Sequence, residues 1–252
     1  SGITGFSQTG ATTDESTASG DGGLSPDALG PRAAGCRFDG LPFQRENSAG
    51  RVRAVGISLL NFDFGRVPLK PPLLSAGPVY LRAPEPDDHD AWARVREQSR
   101  VHLTRWEPDW RPEDSRLEAY RLRLKTYERQ FRARAGVAFH IFDLSDQLVG
   151  GVTLSDIRRH AAQSATIGYW IGAPFLRRGY GLAAVEAATN YAFDILQLNR
   201  VEAACQPGNA ASRALLEKAG FSEEGLAREY LFINGDWRDH VLLAKLARDR
   251  AR

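Results

Sequence analysis

The sequence predicts an α/β fold of the α+β kind, with about seven strands and four helices in the order β-α-α-β-β-β-α-β-α-β-β. Three observations predict it. From Val79 onward, apolar residues alternate between strand-like runs and a helical spacing of three to four. Two pairs of strand-like runs are joined by tight-turn signatures. No internal repeat organises the elements.

Val79–Arg82 reads as a short strand, and Pro86 to about Ser99 as a helix with Trp92 and Val95 on one face. A loop from Leu103 to Trp110 follows. Glu113 to about Arg134 is a long helix, in which Leu117, Tyr120, Leu124, Tyr127 and Phe131 keep the helical spacing. Val137–Asp143 and Leu148–Leu154 are strands joined at Ser145-Asp146, a hairpin signature. Thr166–Ile171 is a strand, Gly179 to about Leu196 a helix, and Val201–Cys205 a strand. Ala210–Ala219 is a helix stopped by Gly220, with Phe221 packing back. Arg228–Ile233 and Trp237–Leu246 close the fold, joined by Asn234-Gly235, the strongest short hairpin signal.

The front of the chain differs. Residues 1–50 hold ten of the 24 glycines and few apolar residues. Such a segment buries too little to offset its ordering entropy and reads as disordered: a tag, a mis-set start or a passive tail. It lacks the basic start and apolar run of a secretory signal. Residues 51–78 read as an extended connector, with Pro68, Pro71 and Pro72 near its end. Residues 79–246 then form one domain, and 247–252 a tail.

Composition narrows the function classes. A net charge of +2 is too balanced for a polybasic nucleic-acid or membrane-surface protein. The many arginines, against only four lysines, read as codon bias. Two cysteines, Cys36 and Cys205, make neither a disulfide scaffold nor a cysteine-rich zinc site. No apolar run reaches the roughly 18 residues of a membrane helix. The expectation is a cytoplasmic protein that needs no metal and binds neither membrane nor nucleic acid, as a monomer or a homodimer.

Two segments carry the chemistry. Residues 171–183 read Ile-Gly-Ala-Pro-Phe-Leu-Arg-Arg-Gly-Tyr-Gly-Leu-Ala, a strand end, a loop and a helix start. Helix N-terminal amides are unpaired and carry partial positive charge, so such a loop binds anions. Arg177 and Arg178 add fixed charge, and Gly179 and Gly181 admit close backbone approach. A plain strand-to-helix turn with solvated arginines is the other reading. Gly179-x-Gly181-x-x-Ala184 also fits a dinucleotide fingerprint, with Glu202 about 20 residues on. Against that, Pro174, Phe175 and two arginines separate the strand from the first glycine, and Glu202 sits at the wrong end of its strand. No Gly-Lys-Ser/Thr follows, which excludes a P-loop. The second segment is Asn209-Ala-Ala-Ser-Arg-Ala-Leu-Leu-Glu-Lys-Ala-Gly-Phe221. Alone, Asn209 capping Ser212 is an ordinary helix start.

Together, at this separation, the two segments resemble the GNAT acetyltransferase superfamily, and the element order matches its fold. That resemblance implies a sheet splayed at its centre with helices on both faces. Leu103-x-x-Trp106-Glu107-Pro108, Gly168-Tyr169-Trp170 and Tyr230 to His240 are similar to the Rim branch, ribosomal-protein alanine N-acetyltransferases of the RimJ/RimL kind. The resemblance spans about Val79 to Leu246. It implies acetyl-CoA as cosubstrate and a protein N-terminal α-amine as acceptor; a small amine acceptor, or CoA binding without catalysis, are the alternatives. It also implies CoA contacts at Trp170, Ile171, Leu176, Arg177, Arg178, Gly179, Tyr180, Gly181, Leu182, Asn209 and Ser212. Two positions depart from the pattern: Leu176 replaces the usual Gln or Arg, and Leu216 replaces the tyrosine that often protonates the leaving thiolate.

The chemistry asks for few groups. The amine attacks the thioester directly, and the oxyanion wants a preorganised N–H donor. In this superfamily a bulge in the central strand, here near Tyr169–Ile171, supplies it. Ser212 is the hydroxyl that stabilises or protonates the thiolate by resemblance; a plain first-turn serine is the alternative. An α-amine, of pKa about 7.7–8, needs only a weak base, whereas a lysine amine at about 10.4 needs more. Glu107, in the loop expected to cover the acceptor, is the first candidate, with Glu202 and Glu229 behind it. Trp106, Trp110 and Tyr169 are candidate walls of the acceptor cleft. His140 and His240 lie in strands without ligand spacing and read as packing or surface residues. Cys205 reads as a buried thiol. Arg158 and Arg159 read as a solvated hairpin face, with reach to the CoA phosphates as the other reading.

Overall fold

A computed structural model describes residues 70–251. The expectations for residues 1–50, for most of the connector and for Cys36 lie outside the described residues.

The described chain builds one sheet of eight strands. They are β1 (Leu74–Ala76), β2 (Val79–Arg82), β3 (Val137–Asp143), β4 (Leu148–Arg158), β5 (Ser164–Ile171), β6 (Arg200–Cys205), β7 (Ser222–Ile233) and β8 (Asp236–Leu246). Their order is β1-β2-β3-β4-β5-β6-β8-β7, and every neighbouring pair is antiparallel except β5 with β6. The helices are α1 (His89–Gln98), α2 (Arg100–Leu103), α3 (Leu117–Arg132), α4 (Tyr180–Asp194) and α5 (Ala210–Lys218).

Strand β1 is one more than expected. It lies within the predicted connector, where Gly77, at φ +56, turns the chain back so that Leu74 pairs with Leu81. Three residues are too few for a period to show. Strand β7 begins six residues before the predicted Arg228. It is an edge strand exposed over most of its length, so it lacks the apolar alternation that marks a half-buried strand. Short 3-10 turns at Pro86–Asp88 and Pro112–Ser115 lead into α1 and α3, each with proline in its first turn.

Helices cover both faces of the sheet. Helix α4 buries Ala184, Val185, Ala188, Ala192 and Phe193 in the larger core with Phe139, Ile141, Val152 and Ile167. On the opposite face Trp92 and Val95 of α1 and Tyr120 of α3 pack with Phe142, Leu148 and Trp170. Two separate apolar clusters follow because successive strand residues point to opposite faces.

The pairing of β5 with β6 positions the site. It holds only at Ser164↔Arg200, Ala165↔Val201 and Thr166↔Glu202. Beyond Thr166 neither strand pairs with the other, while β5 stays registered with β4 up to Ile171. The sheet therefore opens at its centre, and α4 starts near the open end.

Candidate active site

The open edge of β5 offers backbone groups that an ordinary sheet would consume. Residues Ile167–Ile171 keep their β4 partners but have no β6 partner, which leaves alternate N–H and C=O groups directed into the opening. The expected bulge near Tyr169–Ile171 is absent: β4 and β5 register one-to-one there, and their irregularity falls between Ser155 and Arg158. The departure of β6 frees the amides, so no extra residue is needed to re-aim them.

At the mouth of this opening α4 begins. Gly179 takes φ +78 as its N-cap and offers no side-chain cap. The first α4 amide held by the cap is that of Ala183, bonded to the Gly179 carbonyl at 3.1 Å. The amides of Tyr180, Gly181 and Leu182 precede that bond and lie where helix N–H groups have no partner within the helix. A Cβ on Gly179 would meet nothing within 4 Å, so its α-carbon faces open space. Gly181 differs. Its Cβ would come within 2.9 Å of Leu215 and 3.3 Å of Ile171, so that glycine lets α4 and α5 approach each other. Arg177 and Arg178 are exposed beside this N-terminus. Arg177 is held at φ +62, and Arg178 lies over the Phe175 ring.

Across the opening stands the start of α5. Asn209 Oδ1 accepts the Ser212 amide at 3.1 Å, as the N-x-x-S spacing predicts. Asn209 is 1% exposed, and its Nδ2 has no partner among the described residues. That free donor, the open space at Gly179 and the unpaired β5 edge fit an extended ligand with an anionic end and amide groups, as CoA is. Ser212 Oγ lies 2.8 Å from Tyr169 Oη, and both side chains are buried. Burial pushes the Tyr169 hydroxyl well above its usual range, against the Ser212 hydrogen bond. Cys205 is fully buried close by, its thiol pushed up to about 11 by burial.

On the α1 side, Glu107 is 2% exposed, and Arg96 Nη2 lies 2.7 Å from its Oε1. The contact is an ion pair rather than an aligned hydrogen bond, and both carboxylate oxygens lack a hydrogen-bond donor. Burial raises the Glu107 pKa more than Arg96 lowers it. Arg96 is stacked 4.0 Å from Trp110 and 5.2 Å from Trp170. Glu107 therefore faces a buried arginine instead of the open cleft predicted for a base. Of the other two candidates, Glu202 pairs with Arg158 and Arg200, and Glu229 sits exposed at φ +48 in an irregular stretch of the edge strand β7. Arg159 donates to the Leu196 carbonyl.

One tie was not legible in sequence. Asn234, read as a turn residue, sits at φ +52 in the β7–β8 turn. Its Oδ1 accepts the Asp109 amide at 2.6 Å, and its Nδ2 donates to the carbonyls of Thr104 at 3.2 Å and Glu107 at 3.5 Å. The loop between α2 and α3 is thus held from the hairpin side, and from the α5 side Gln206 reaches the Trp106 carbonyl.

Between α1, α3 and the sheet lies a cavity of about 40 Å³. Its wall includes Arg96, Arg123, Tyr127, His140, Thr153 and the β5 stretch Gly168–Trp170, with no carboxylate. Gly151 is required here: a Cβ would fall 2.6 Å from Trp170 Nε1, so the Nε1 edge of the indole occupies that position.

A sheet parted at its centre, with a helix N-terminus at the opening and a buried hydroxyl pair inside it, defines a CoA-thioester acyltransferase. Residues 79–222 match the acetyltransferase (GNAT) domain family, and the chain belongs to it. It is 34% identical to the probable N-acetyltransferase YjcK of Bacillus subtilis over 70% of this chain and 98% of that protein. It is 31% identical to the [ribosomal protein uS5]-alanine N-acetyltransferase of Escherichia coli, over 62% of this chain and 82% of that one. Among solved structures it resembles Mycobacterium smegmatis RimJ in complex with CoA-disulfide, at a TM-score of 0.67 and 33% identity, covering 72% of this chain and 88% of that one. The protein is an acetyl-CoA-dependent N-acetyltransferase related to ribosomal-protein acetyltransferases.

Proposed function

We propose that the acceptor is a protein N-terminal α-amine, with a ribosomal-protein-like alanine as the model case. The described lining of the cavity behind the Gly168–Trp170 strand, which presents Arg123 and the Glu107-paired Arg96, supports this reading. A lysine or polyamine amine, near pKa 10.4, is almost wholly protonated at neutral pH and needs a strong base and anionic partners. The cavity offers it Arg96 and Arg123 instead. An α-amine, near pKa 8, already supplies a substantial neutral fraction. The ribosomal-protein relatives point the same way.

When bound, acetyl-CoA supplies an acetyl thioester to be attacked by the amine. The residues of the chain hold and polarise it. Tyr180, Gly181 and Leu182 present amides to the pyrophosphate, with Leu176, Arg177, Arg178 and Gly179 shaping the loop around it. Trp170, Ile171 and Asn209 pair with the amide-bearing arm. A free β5 amide stabilises the oxyanion. Ser212, backed by Tyr169, hands a proton to the leaving sulfur. Glu107 anchors the acceptor loop through Arg96. Such an enzyme works where new ribosomal proteins are made, in the cytoplasm.

The test is an acceptor panel read by intact mass: Ala-starting peptides, the same peptides with blocked N-termini and a free lysine, and spermidine. Acetylation confined to free N-termini is expected. Acetylation of spermidine or blocked peptides alone would replace this reading with the small-amine one.

A further inference from the structure

We propose that His140, held by Asp88, is the proton acceptor for the incoming amine, reached through water in the cavity behind β5. The inference rests on acetyl transfer to an amine, and not on which amine is used.

Geometry supports it first. His140 of β3, Gly151 of β4 and Trp170 of β5 are successive register partners, so they form one row on one face of the sheet. Two strand spacings separate the outer members, about 10 Å between α-carbons. The middle member has no side chain, and the Trp170 indole leans across it. His140 and Trp170 therefore line the same cavity. At about 40 Å³ this cavity has room for roughly three waters, with Thr153, Tyr127 and the arginines to orient them.

The hydrogen bonding is directional. His140 is 4% exposed, and its Nδ1 lies 3.3 Å from Asp88 Oδ2. Asp88 is itself fixed: Arg82 donates to both its oxygens at 2.6 and 2.8 Å, and the Glu85 amide donates at 2.8 Å. Against its burial, the bond with His140 and these bonds from Arg82 and the Glu85 amide hold its carboxyl well below the usual range, so Asp88 stays an anion. An anion can only accept, which places the imidazole proton on Nδ1 and leaves the Nε2 lone pair bare. Among the described residues Nε2 has no hydrogen-bond partner. The ionisable groups around the ring are Asp88 beside α1, Arg96 on α1, Arg82 on β2, and Tyr120, Arg123 and Tyr127 on α3. Burial lowers the His140 pKa below 6.5 despite Asp88, so the ring is neutral at pH 7.

The proton balance closes. The acceptor ammonium gives one N–H proton to cavity water, which passes one to His140 Nε2. The freed nitrogen lone pair forms the N–C bond as the C–S bond breaks, with its electron pair left on sulfur. The second N–H proton reaches sulfur by way of Ser212 and Tyr169. His140 then returns its proton to solvent.

The experiment pairs spectroscopy with kinetics. In the ligand-free protein, ¹⁵N NMR, assigned by difference from His140→Gln, should show His140 as the Nδ1–H tautomer with a titration midpoint below 6.5. The acid limb of kcat/KM, on the best amine of the panel, should share that midpoint. His140→Gln keeps an N–H for Asp88. It should lose about 100-fold in kcat, the lower end for acid–base groups. It should also lose that limb, with acetyl-CoA Kd within twofold. An Nε2–H tautomer for the assigned wild-type ring overturns the proposal whatever the kinetics show. So does a folded His140→Gln enzyme with unchanged kcat, or a kinetic limb that misses the NMR midpoint. A panel in which only small amines react strikes the N-terminal reading and leaves this test intact.

Discussion

Replacing Asn234 with glycine separates two duties of one residue. At φ +52, followed by Gly235 at φ +82, Asn234 forms a turn in which both central residues have positive φ. Glycine adopts that conformation freely, so the hairpin survives Asn234→Gly. What disappears is the side chain that accepts from Asp109 at 2.6 Å and donates to Thr104 at 3.2 Å, with a marginal contact to Glu107 at 3.5 Å. Two good neutral hydrogen bonds at a solvent-facing site are worth about 1–2 kcal/mol together. That energy holds the loop between α2 and α3 docked. At about 1.4 kcal/mol per decade, its loss raises the acceptor KM about 5- to 30-fold. Acetyl-CoA, whose proposed site in the opening does not include these loop contacts, should keep its Kd by calorimetry, and the Tm should move only a few degrees. Asn234→Asp tolerates the turn and keeps the bond from the Asp109 amide, so it should fall between the two. An unchanged acceptor KM in Asn234→Gly would refute the reasoning, and so would a weakened acetyl-CoA Kd.

Three further outcomes are expected. Gly179→Asp places a negative charge in the open space at the α4 N-terminus and costs about 1 kcal/mol of backbone strain at φ +78. Calorimetry should find CoA binding abolished in a protein that still folds, and unchanged affinity would remove the loop from the site. Tyr169→Phe removes the partner of Ser212 at 2.8 Å; steady-state kinetics should show kcat down 10- to 100-fold with little change in acetyl-CoA KM, and an equal kcat would make the hydroxyl pair structural only. Arg96→Met leaves the Glu107 carboxylate buried and unpaired, so urea unfolding should show a loss of about 3–5 kcal/mol, most of it recovered in the Arg96→Met, Glu107→Gln double variant. A single-variant loss under about 1 kcal/mol would mean that Glu107 reaches water.

Local patterns were legible wherever one stretch of chain decides them. Asn209 caps Ser212, Gly220 takes φ +83, Asn234-Gly235 turns the last hairpin, and apolar spacing places α1, α3 and α4. The failures share a different cause. Strand β7 runs along an exposed edge, so burial never wrote an alternation into its first half. Glu107 looks like an open base in sequence because its partner Arg96 is on another element, and only packing reveals that the pair is buried. His140 reads as a packing histidine because Asp88 lies 52 residues away. Asn234 reads as a turn because its loop partners lie at least 125 residues away.

The same distinction settles what Leu216 means. A leucine at the usual tyrosine position is the sequence feature that favours a CoA-binding module without catalysis. In the fold that leucine is 1% exposed and belongs to the larger core, where a hydroxyl would lack a partner. The phenol arrives from the other wall of the opening instead. Tyr169 is carried by β5, the strand whose open edge lines the thioester in the proposed site, and its register against Val152 fixes where its oxygen falls. Its 2.8 Å contact with Ser212 gives the serine a hydrogen-bonded second hydroxyl, able to take up the charge that passes through it. Burial pushes the Tyr169 hydroxyl up, so it carries its proton at neutral pH, the state a proton donor to sulfur requires. On the proposed mechanism the acid missing at Leu216 is relocated to the Ser212–Tyr169 pair, and an unchanged kcat in Tyr169→Phe would return weight to the inactive module.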